Sequence, residues 1–132
     1  YLDNRKQHYT LLFLDLDKFK QVNDTFGHKI GDKVLIDSAK RFQDQVRLYD
    51  TVSRLGGDEF LILLKDLTEQ NVIDRISEKI KEAIEVPFIY DDVECNIGVS
   101  IGIAIQKGEY TTEEIVHLAD TKMYDDKKNR KR

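Results

Sequence analysis

Cysteine and proline are nearly absent from this sequence of 132 residues, which contains only Cys95 and Pro87. A single cysteine excludes an internal disulfide and is typical of a protein from a reducing compartment, so we expect a cytoplasmic location. No linker-like or low-complexity segment divides the chain. We therefore expect one domain over residues 1–132, long enough to bury one hydrophobic core.

Basic residues are too few for a general nucleic-acid-binding protein. The chain has 21 Lys and Arg against 25 Asp and Glu, which gives a net charge of −4 at pH 7. Proteins that bind DNA or RNA carry a basic surplus, because they must neutralise the phosphates. A nucleotide substrate is compatible with this balance, since a local basic cluster and a metal ion can offset its phosphates.

Long apolar runs are absent as well. No stretch approaches the length of about 18 residues that predicts a membrane-spanning helix, and no signal peptide is recognisable. The chain begins at Tyr1 without an initiator methionine. We therefore expect a piece of a longer protein, whose other regions would decide any attachment to a membrane.

Apolar periodicity predicts alternating strands and helices. Residues 11–17 form a nearly continuous apolar run that ends in acids, which indicates a central buried strand. Further strands are expected on both sides of Gly56-Gly57 as a hairpin, at 88–90, and at 93–105, where Gly98 and Gly102 indicate close backbone approach or a bulge. Helices are expected near Lys18, from Asp32 to about Val46, from an N-cap at Thr68 to Pro87, and after a cap at Thr111 or Thr112.

This order of elements predicts an α+β fold, with a mainly antiparallel central sheet flanked by helices. The strand that ends near Asp15 is expected in the centre of the sheet, beside the hairpin around Gly56-Gly57. Asp15 and the acids that follow the two glycines would then meet at one end of two neighbouring strands.

The stretch Gly56-Gly57-Asp58-Glu59 is the most informative part of the sequence. Two glycines permit a tight turn, and the two adjacent carboxylates repel each other, which favours a nearby counter-charge. A hard divalent cation bound to a nucleotide is one such counter-charge. Taken alone, Asp58-Glu59 more often marks a solvated turn, and Asp15 a carboxylate that caps a helix.

The segment from Asp17 to Asp32 is polar and contains groups suited to a purine nucleotide. A helix that begins near Lys18 would direct backbone N–H groups at phosphates, and Lys20 would add a positive charge. Asn23 and Asp32 are candidate base readers, because a carboxylate accepts two hydrogen bonds from the N1–H and N2–H₂ edge of guanine. The alternative is a surface loop in which Asp32 caps the next helix.

In chain order, several segments together resemble the GGDEF diguanylate cyclase family. They are Leu14–Lys20, Asn23–His28, Gly31-Asp32, Arg54–Phe60, Ser100–Gly102, Ala119-Asp120 and Met123-Tyr124. The resemblance extends from about Leu11 to Lys127. It implies a fold related to nucleotidyl cyclases and the polymerase palm, and a reaction in which two GTP condense to cyclic di-GMP with release of two pyrophosphates.

Carried over by position, the resemblance assigns roles to individual residues. It implies Mg²⁺ or Mn²⁺ ligands at Asp15, Asp58, Glu59 and the carbonyl of Leu16, with Glu59 either a ligand or the group that assists deprotonation of the ribose 3′-hydroxyl. It implies substrate contacts by Phe19, Lys20, Asn23, Asp32, Gly56, Gly57 and Lys127, with Lys20 stabilising phosphate charge in the transition state. Lys131 stands where the family has an arginine and keeps the charge without the guanidinium fork.

Arg47 and Asp50 resemble the family's R-x-x-D inhibitory site. There, Arg47 would bind the acceptor edge of a guanine of cyclic di-GMP, and Asp50 would accept from its donor edge. The resemblance thus implies product inhibition. The alternative is an ordinary surface ion pair at the end of a helix, where Arg47 also suits the helix dipole.

The family reaction requires a homodimer, in which the 3′-hydroxyl of each GTP attacks the α-phosphate of the other. Tyr1–Tyr9 lacks the opening motif of the family, so we expect an N-terminally truncated domain and an upstream sensory or dimerising domain outside this chain. Two other classes stay open. One is a non-catalytic module that binds GTP or cyclic di-GMP, and the other is a cyclase with a monocyclic product.

Overall fold

The apolar run His8–Asp17 forms the central strand of the fold. The computed structural model describes residues 7–130, and within them this strand is buried on both faces along almost its whole length. Its side chains alternate between two hydrophobic cores, one on each face of the sheet. This burial on both sides explains why the run is continuously apolar.

The other elements follow this strand, β1, in chain order within residues 7–130. They are α1 (Phe19–Phe26), α2 (His28–Asp44), β2 (Thr51–Gly56), β3 (Glu59–Lys65), α3 (Gln70–Glu85), β4 (Phe88–Tyr90), β5 (Val93–Cys95), β6 (Gly98–Lys107) and α4 (Thr112–Arg130). Among the described residues, no helix combines the length and the apolar character needed to cross a membrane.

The main sheet is antiparallel throughout. Its strand order is β2-β3-β1-β6, so β1 pairs with β3 on one side and with β6 on the other. Strands β4 and β5 form a separate hairpin. Helices pack on both faces of the main sheet, which confirms the predicted α+β fold with a mainly antiparallel central sheet.

The two faces of the sheet are covered by different helices. Leu12 and Leu14 face a core that includes residues of α2 and α3, where the rings of Phe42 and Phe60 meet edge to face with centroids 5.1 Å apart. Phe13 faces the second core, which includes residues of α4. Successive side chains of β1 thus point to opposite faces of the sheet, and each face packs against its own layer of helices.

Gly102 allows α4 to lie close to the sheet. A Cβ atom at this position would collide with the carbonyl oxygen of Ala119 and the backbone nitrogen of Met123. The close backbone approach predicted for this glycine is therefore present. The contact also matters for the site described below, because α4 carries Lys127.

Two helices begin at residues other than those predicted. Helix α2 begins at His28, because Gly27, with φ of 90°, interrupts the helical path for one residue and the helix resumes directly after it. Asp32 therefore lies inside α2 and is not its cap. Helix α3 begins at Gln70 with the extended residue Glu69 in the N-cap position, so the predicted cap Thr68 lies one residue too early.

The segment 93–105, which we expected as one strand, forms two. Strand β5 pairs with β4 as far as Cys95, whereas β6 pairs with β1 from Gly98 onward. Asn96 and Ile97 connect them, because the chain leaves the small hairpin and enters the main sheet at this point. A pattern of apolar residues cannot indicate such a change of pairing partner, because it does not specify which strand pairs with which.

The start of α4 confirms one of the two predicted caps. The backbone N–H of Glu114 donates to Thr111 Oγ1 over 3.2 Å, and the backbone N–H of Thr111 donates to Glu114 Oε1 over 2.9 Å. This reciprocal pair is a capping box. Thr111, and not Thr112, is therefore the N-cap residue.

Candidate active site

The carboxyl end of β1 lies beside the glycine-led turn between β2 and β3. Asp15 is the direct partner of Glu59 in the register of β1 and β3. One residue further, the backbone N–H of Leu16 donates to the carbonyl oxygen of Asp58 over 3.1 Å. The predicted meeting of Asp15 with the acids of the turn is thus observed, although the two segments are far apart in the sequence.

The two glycines give the turn its shape. Gly56 and Gly57 have φ angles of 147° and 51°, which side chains disfavour. The register of β2 and β3 shifts between Arg54 and Gly56, and Arg54 Nε donates to the Gly57 carbonyl over 2.9 Å. This bulged turn places Asp58 at the end of β1.

Asp15 has one carboxylate oxygen paired and the other without a hydrogen-bond donor. Oδ2 accepts from Lys127 Nζ over 3.1 Å, and the side chain is 14% exposed. Oδ1 is buried and meets no donor among the described residues. Burial raises the pKa of Asp15, the charge of Asp58 raises it further, and Lys127 only partly offsets both. The site therefore contains a carboxylate that gains from an additional positive charge.

Asp17 is a third strand-end acid at this site, and no role was assigned to it from the sequence. Its Oδ1 accepts from Ser100 Oγ over 2.7 Å and from Lys127 Nζ over 3.3 Å. Burial lowers the pKa of Lys127, but its bonds and charge interactions with Asp15 and Asp17 raise it more, so the net shift is upward. The spacing of Asp15 and Asp17, two residues apart in a strand, is the sequence signal that places both on one face.

Glu59 also feels the negative charge of the site. Burial raises its pKa first, the charges of Asp15 and Asp120 raise it further, and Lys127 lowers it. Within residues 7–130, no group of three or more His, Cys, Asp or Glu side chains converges closely enough to hold a metal ion. Any metal at this site would therefore draw further ligands from main-chain oxygens, from its substrate and from water.

An open cleft of about 920 Å³ lies next to these acids. Its walls include side chains and backbone of the β1–α1 connection, the turn acid, the β5–β6 connection and α4, namely Leu16, Asp17, Lys18, Phe19, Lys20, Gln21, Asp58, Asn96, Gly98 and Lys127. The cleft thus brings together acids, lysines and the start of a helix, which is the composition that a metal-bound phosphate group requires.

The start of α1 directs backbone donors into this cleft. Lys18, in the N-cap position, has a left-handed φ of 69°, and no side chain caps the helix. The predicted helix near Lys18 is thus present, with its first N–H groups available to an anion. Lys20 lies 3.6 Å from Asp24 in a pair whose side chains are 91% and 65% exposed. Such an exposed pair is weak, so Lys20 can turn toward a phosphate at little cost.

The first candidate base reader, Asn23 in α1, lies against Gly31 of α2. A Cβ atom on Gly31 would collide with Asn23 Oδ1 and lie 3.4 Å from the ring of Phe19. Gly31 therefore leaves room for the Asn23 amide, and Asp32 directly follows it on the exposed side of α2. The role of Asn23 and Asp32 as base readers stays a prediction.

Arg47 and Asp50 form an ion pair that also joins the end of β3. The side chain of Asp50 is fully buried, and its oxygens accept from Arg47 Nε and Nη2 and from the backbone N–H groups of Arg47 and Lys65, over 2.8 to 3.0 Å. Arg47 Nη2 also donates to the carbonyl of Lys65. Burial raises the pKa of Asp50, but these donors lower it more, so the net shift is downward. The ion-pair alternative is therefore present, with a structural role beyond that of a surface pair.

Some predicted residues lie outside the part of the chain that the structure describes. Lys131 is one of them, as is most of the segment Tyr1–Tyr9. Most of the remaining predicted site residues lie around the end of the sheet that carries Asp15 and along the α1–α2 pair. Arg47 and Asp50 lie at the opposite end, beside Lys65.

Comparison with known proteins assigns the family. The family described as "Diguanylate cyclase, GGDEF domain" matches residues 1–132. The chain belongs to the GGDEF domain family. This match extends over the whole sequence, including the acids, lysines and glycines placed above.

Curated relatives share this domain with much longer proteins. MucR of Pseudomonas aeruginosa, a bifunctional diguanylate cyclase/cyclic di-GMP phosphodiesterase, is 42% identical over 123 residues, which cover 92% of this chain and 18% of MucR. The diguanylate cyclase DgcN of Escherichia coli is 38% identical over 121 residues, which cover 91% of this chain and 30% of DgcN. The chain therefore spans less than a third of the length of either relative.

Solved structures of GGDEF domains share the fold. The GGDEF domain of TpbB (YfiN) from Pseudomonas aeruginosa superposes with a TM-score of 0.87 at 37% identity, covering 93% of this chain and 78% of that one. The GGDEF domain of DgcB from Caulobacter crescentus, solved in complex with c-di-GMP, has a TM-score of 0.86 at 25% identity, covering 96% and 76%. The fold of this GGDEF domain is therefore that of its family.

Proposed function

We propose that this GGDEF domain is a diguanylate cyclase that condenses two GTP into cyclic di-GMP and two pyrophosphates. The observation that carries the proposal is the convergence of Asp15, the Asp58 turn and Lys127 beside one cleft with the start of α1. The named diguanylate cyclases among the relatives, at 38% to 42% identity over most of this chain, support the same reaction.

Asp15, Asp58 and the Leu16 carbonyl are the proposed ligands of a divalent cation, Mg²⁺ or Mn²⁺. The donor set fits such an ion, because it consists of hard oxygens and includes a buried carboxylate oxygen of Asp15 without a donor. Two carboxylates suffice, since Mg²⁺ in nucleotide sites takes much of its coordination from phosphates and water. A cation bound there would acidify the ribose 3′-hydroxyl and neutralise charge on the departing pyrophosphate.

Glu59 is the proposed proton acceptor for the 3′-hydroxyl. Its raised pKa makes it a better base than an ordinary carboxylate, and it lies opposite Asp15 in the sheet. Assigning the proton to Glu59 leaves Asp15 and Asp58 for the cation, which agrees with the lack of a three-acid cluster in residues 7–130.

The remaining site residues bind and orient GTP. We propose that the N–H groups at Phe19 and the next residues of α1, together with Lys20 and Lys127, bind the triphosphate. Asn23 and Asp32 read the guanine, with Gly31 leaving room for the Asn23 amide. Gly56 and Gly57 let the backbone of the turn approach the nucleotide.

The product itself requires two copies of the site. Cyclic di-GMP contains two identical 3′–5′ linkages, so each 3′-hydroxyl must attack the α-phosphate of the other GTP. One cleft of this size with one set of acids suits one triphosphate, which supports a homodimer in which two clefts face each other.

We further propose that cyclic di-GMP inhibits the domain through Arg47. The Arg47 side chain remains 37% exposed, and its guanidinium lies over the ring of Tyr49 at 4.7 Å. For Asp50 to accept from a guanine, its bonds to Arg47 and to the Lys65 N–H must open. We therefore assign the main contact with the inhibitor to Arg47.

The test is to incubate the protein at high concentration, or fused to a dimerising domain, with GTP and Mg²⁺ and to separate the products by chromatography. Cyclic di-GMP and pyrophosphate in a ratio of one to two are expected. A monocyclic product would contradict the proposal, and GTP or cyclic di-GMP binding without turnover would favour the non-catalytic module.

A further inference from the structure

The ammonium of Lys127 is shared between two carboxylates on one face of β1. Its Nζ lies 3.1 Å from Asp15 Oδ2 and 3.3 Å from Asp17 Oδ1, and the lysine side chain is 24% exposed. A lysine from the last helix thus reaches two acids at the end of the first strand. In this position it partly neutralises the acid that we assign to the cation.

The two carboxylates are held differently. Ser100 is fully buried and lies opposite Asp15 in the register of β1 and β6, but its hydroxyl donates to Asp17 over 2.7 Å. Ser100, in β6, thereby orients Asp17. Asp17 can then hold the Lys127 ammonium whether or not Asp15 binds a cation. Asp15 has no such donor among the described residues and contributes the buried oxygen without a partner.

A divalent cation at Asp15 competes with this ammonium. Lys127 donates to Oδ2 of Asp15, and two positive charges at the same carboxylate repel each other. If the ammonium is displaced from Asp15, Asp17 retains it within the same cleft, which Lys127 also lines. There it faces the space that the triphosphate would fill.

We propose that Lys127 is an internal counter-ion that a divalent cation displaces from Asp15, and that Asp17, oriented by Ser100, is the positioning residue that retains the displaced ammonium for the phosphates. The proposal rests on the proposed function, because it takes Asp15 as the metal ligand. It adds an exchange of positive charges at that site, in which binding of the cation releases the Lys127 ammonium from Asp15.

The first test measures Mn²⁺ binding without nucleotide, by electron paramagnetic resonance or calorimetry. Lys127→Gln removes the competing charge, so Mn²⁺ should bind about fivefold more tightly than to the unchanged protein. Lys128→Gln is the matched control, since it removes the same charge from an exposed neighbour on α4. An equal gain in both variants, or unchanged affinity in Lys127→Gln, would overturn the proposal.

Asp15→Asn separates this inference from the proposed function. If Asp15→Asn abolishes Mn²⁺ binding while Lys127→Gln leaves it unchanged, the metal site stands and the exchange fails. If Asp15→Asn leaves Mn²⁺ binding intact, the metal assignment itself fails, and the exchange fails with it.

The second test is a double-mutant cycle on the affinity for a non-hydrolysable GTP analogue in saturating Mg²⁺. Asp17→Asn and Lys127→Gln should each weaken binding by about tenfold, and the double variant should be little worse than either. Lys127→Gln should thus weaken binding of the GTP analogue but strengthen binding of Mn²⁺. A purely structural role would not produce these opposite effects. Additive losses would contradict the role of Asp17.

Ser100→Ala provides a second route should Asp17→Asn prevent folding. It removes only the hydroxyl that orients Asp17, at a position where a smaller side chain fits. Its analogue affinity should fall in the same direction as that of Asp17→Asn. Unchanged affinity in a folded Ser100→Ala protein would show that Asp17 needs no orientation and would overturn that part of the proposal.

Discussion

Asp15 lies directly opposite Glu59 in the pairing of β1 with β3. Antiparallel pairing is what brings the end of one strand to the beginning of the other, so the acids meet without any contact that is local in sequence. The same arrangement brings negative charges close together. In addition to burial, the charge of Asp15 raises the pKa of Glu59, and the charge of Asp58 raises the pKa of Asp15. The pH dependence of stability and the proposed activity therefore depend on the same acids.

Glu59→Gln should change the pH dependence of stability. The pKa of Glu59 is raised above its ordinary value of 4.5, so the folded protein binds its proton more tightly than the unfolded chain does. Stability of the unchanged protein therefore falls as the pH rises from 4.5 through the folded pKa. Gln cannot ionise, so the melting temperature of Glu59→Gln relative to the unchanged protein should increase across this window.

Calorimetric melts at a series of pH values check this prediction, with Glu94→Gln in β5 as an exposed control. The control should follow the unchanged protein at every pH. A difference between Glu59→Gln and the unchanged protein that is constant with pH, or that shrinks as the pH rises, would contradict the burial and charge effects assigned to Glu59.

Asp50→Ala should destabilise the fold strongly. Its buried carboxylate accepts from Arg47 and from the Lys65 N–H, and its loss leaves these donors without their partner. We expect a cost of about 3 kcal/mol, measured by urea unfolding. Asp44→Ala, at an exposed position near the end of α2, should cost less than about 0.5 kcal/mol.

The lowered pKa of Asp50 also predicts how the stability lost in Asp50→Ala depends on pH. Its contribution is present above the ordinary value of 3.8 and is lost as the pH falls through the lower folded pKa. The gap in stability between the unchanged protein and Asp50→Ala should therefore close in acid. A gap that persists below this range would mean that the ion pair is not its source.

Gly31→Ala should weaken GTP recognition more than it weakens the fold. The added Cβ would displace the Asn23 amide, which Gly31 accommodates. We expect the affinity for a GTP analogue to fall by about tenfold, with a smaller loss for an ATP analogue, since adenine lacks the guanine donor edge. Ile36→Ala, on the exposed face of the same helix, is the control and should leave both affinities unchanged. Equal losses for both nucleotides would contradict the assignment of Asn23 and Asp32.

Arg47→Ala should relieve product inhibition while the initial rate changes little. Arg47 lies at the opposite end of the sheet from Asp15 and pairs with Asp50 beside the end of β3. Initial rates measured over a range of added cyclic di-GMP give the inhibition curve for the variant and for the unchanged protein. An unchanged curve would contradict the inhibitory role of Arg47.

The sequence predicted the meeting of Asp15 with the acids of the turn because its local signals are strong. The apolar run of β1, the two glycines of the turn and the acids at both positions follow from patterns that depend on neighbouring residues. Their meeting could be predicted from the expected sheet, since one pairing of β1 with the hairpin suffices to bring Asp15 to Asp58.

Other features depend on contacts that no local pattern contains. The attachment of Lys127 to Asp15 joins residues 112 positions apart, and it follows from the packing of α4 against β6 at Gly102. The burial of Asp50 follows from the position of the β3 end, and the division of 93–105 follows from a change of pairing partner. Gly27 ends α1, but α2 begins directly after it. The sequence does not reveal this immediate restart, so it did not place Asp32 inside the helix.

The most direct test of the account is a crystal structure with a GTP analogue and Mn²⁺, in which anomalous scattering locates the ion. We expect the anomalous peak to place the ion at the Asp15 carboxylate, the Leu16 carbonyl and Asp58, with the phosphates at the start of α1. An ion bound away from Asp15, or a nucleotide outside this cleft, would contradict the proposed mechanism.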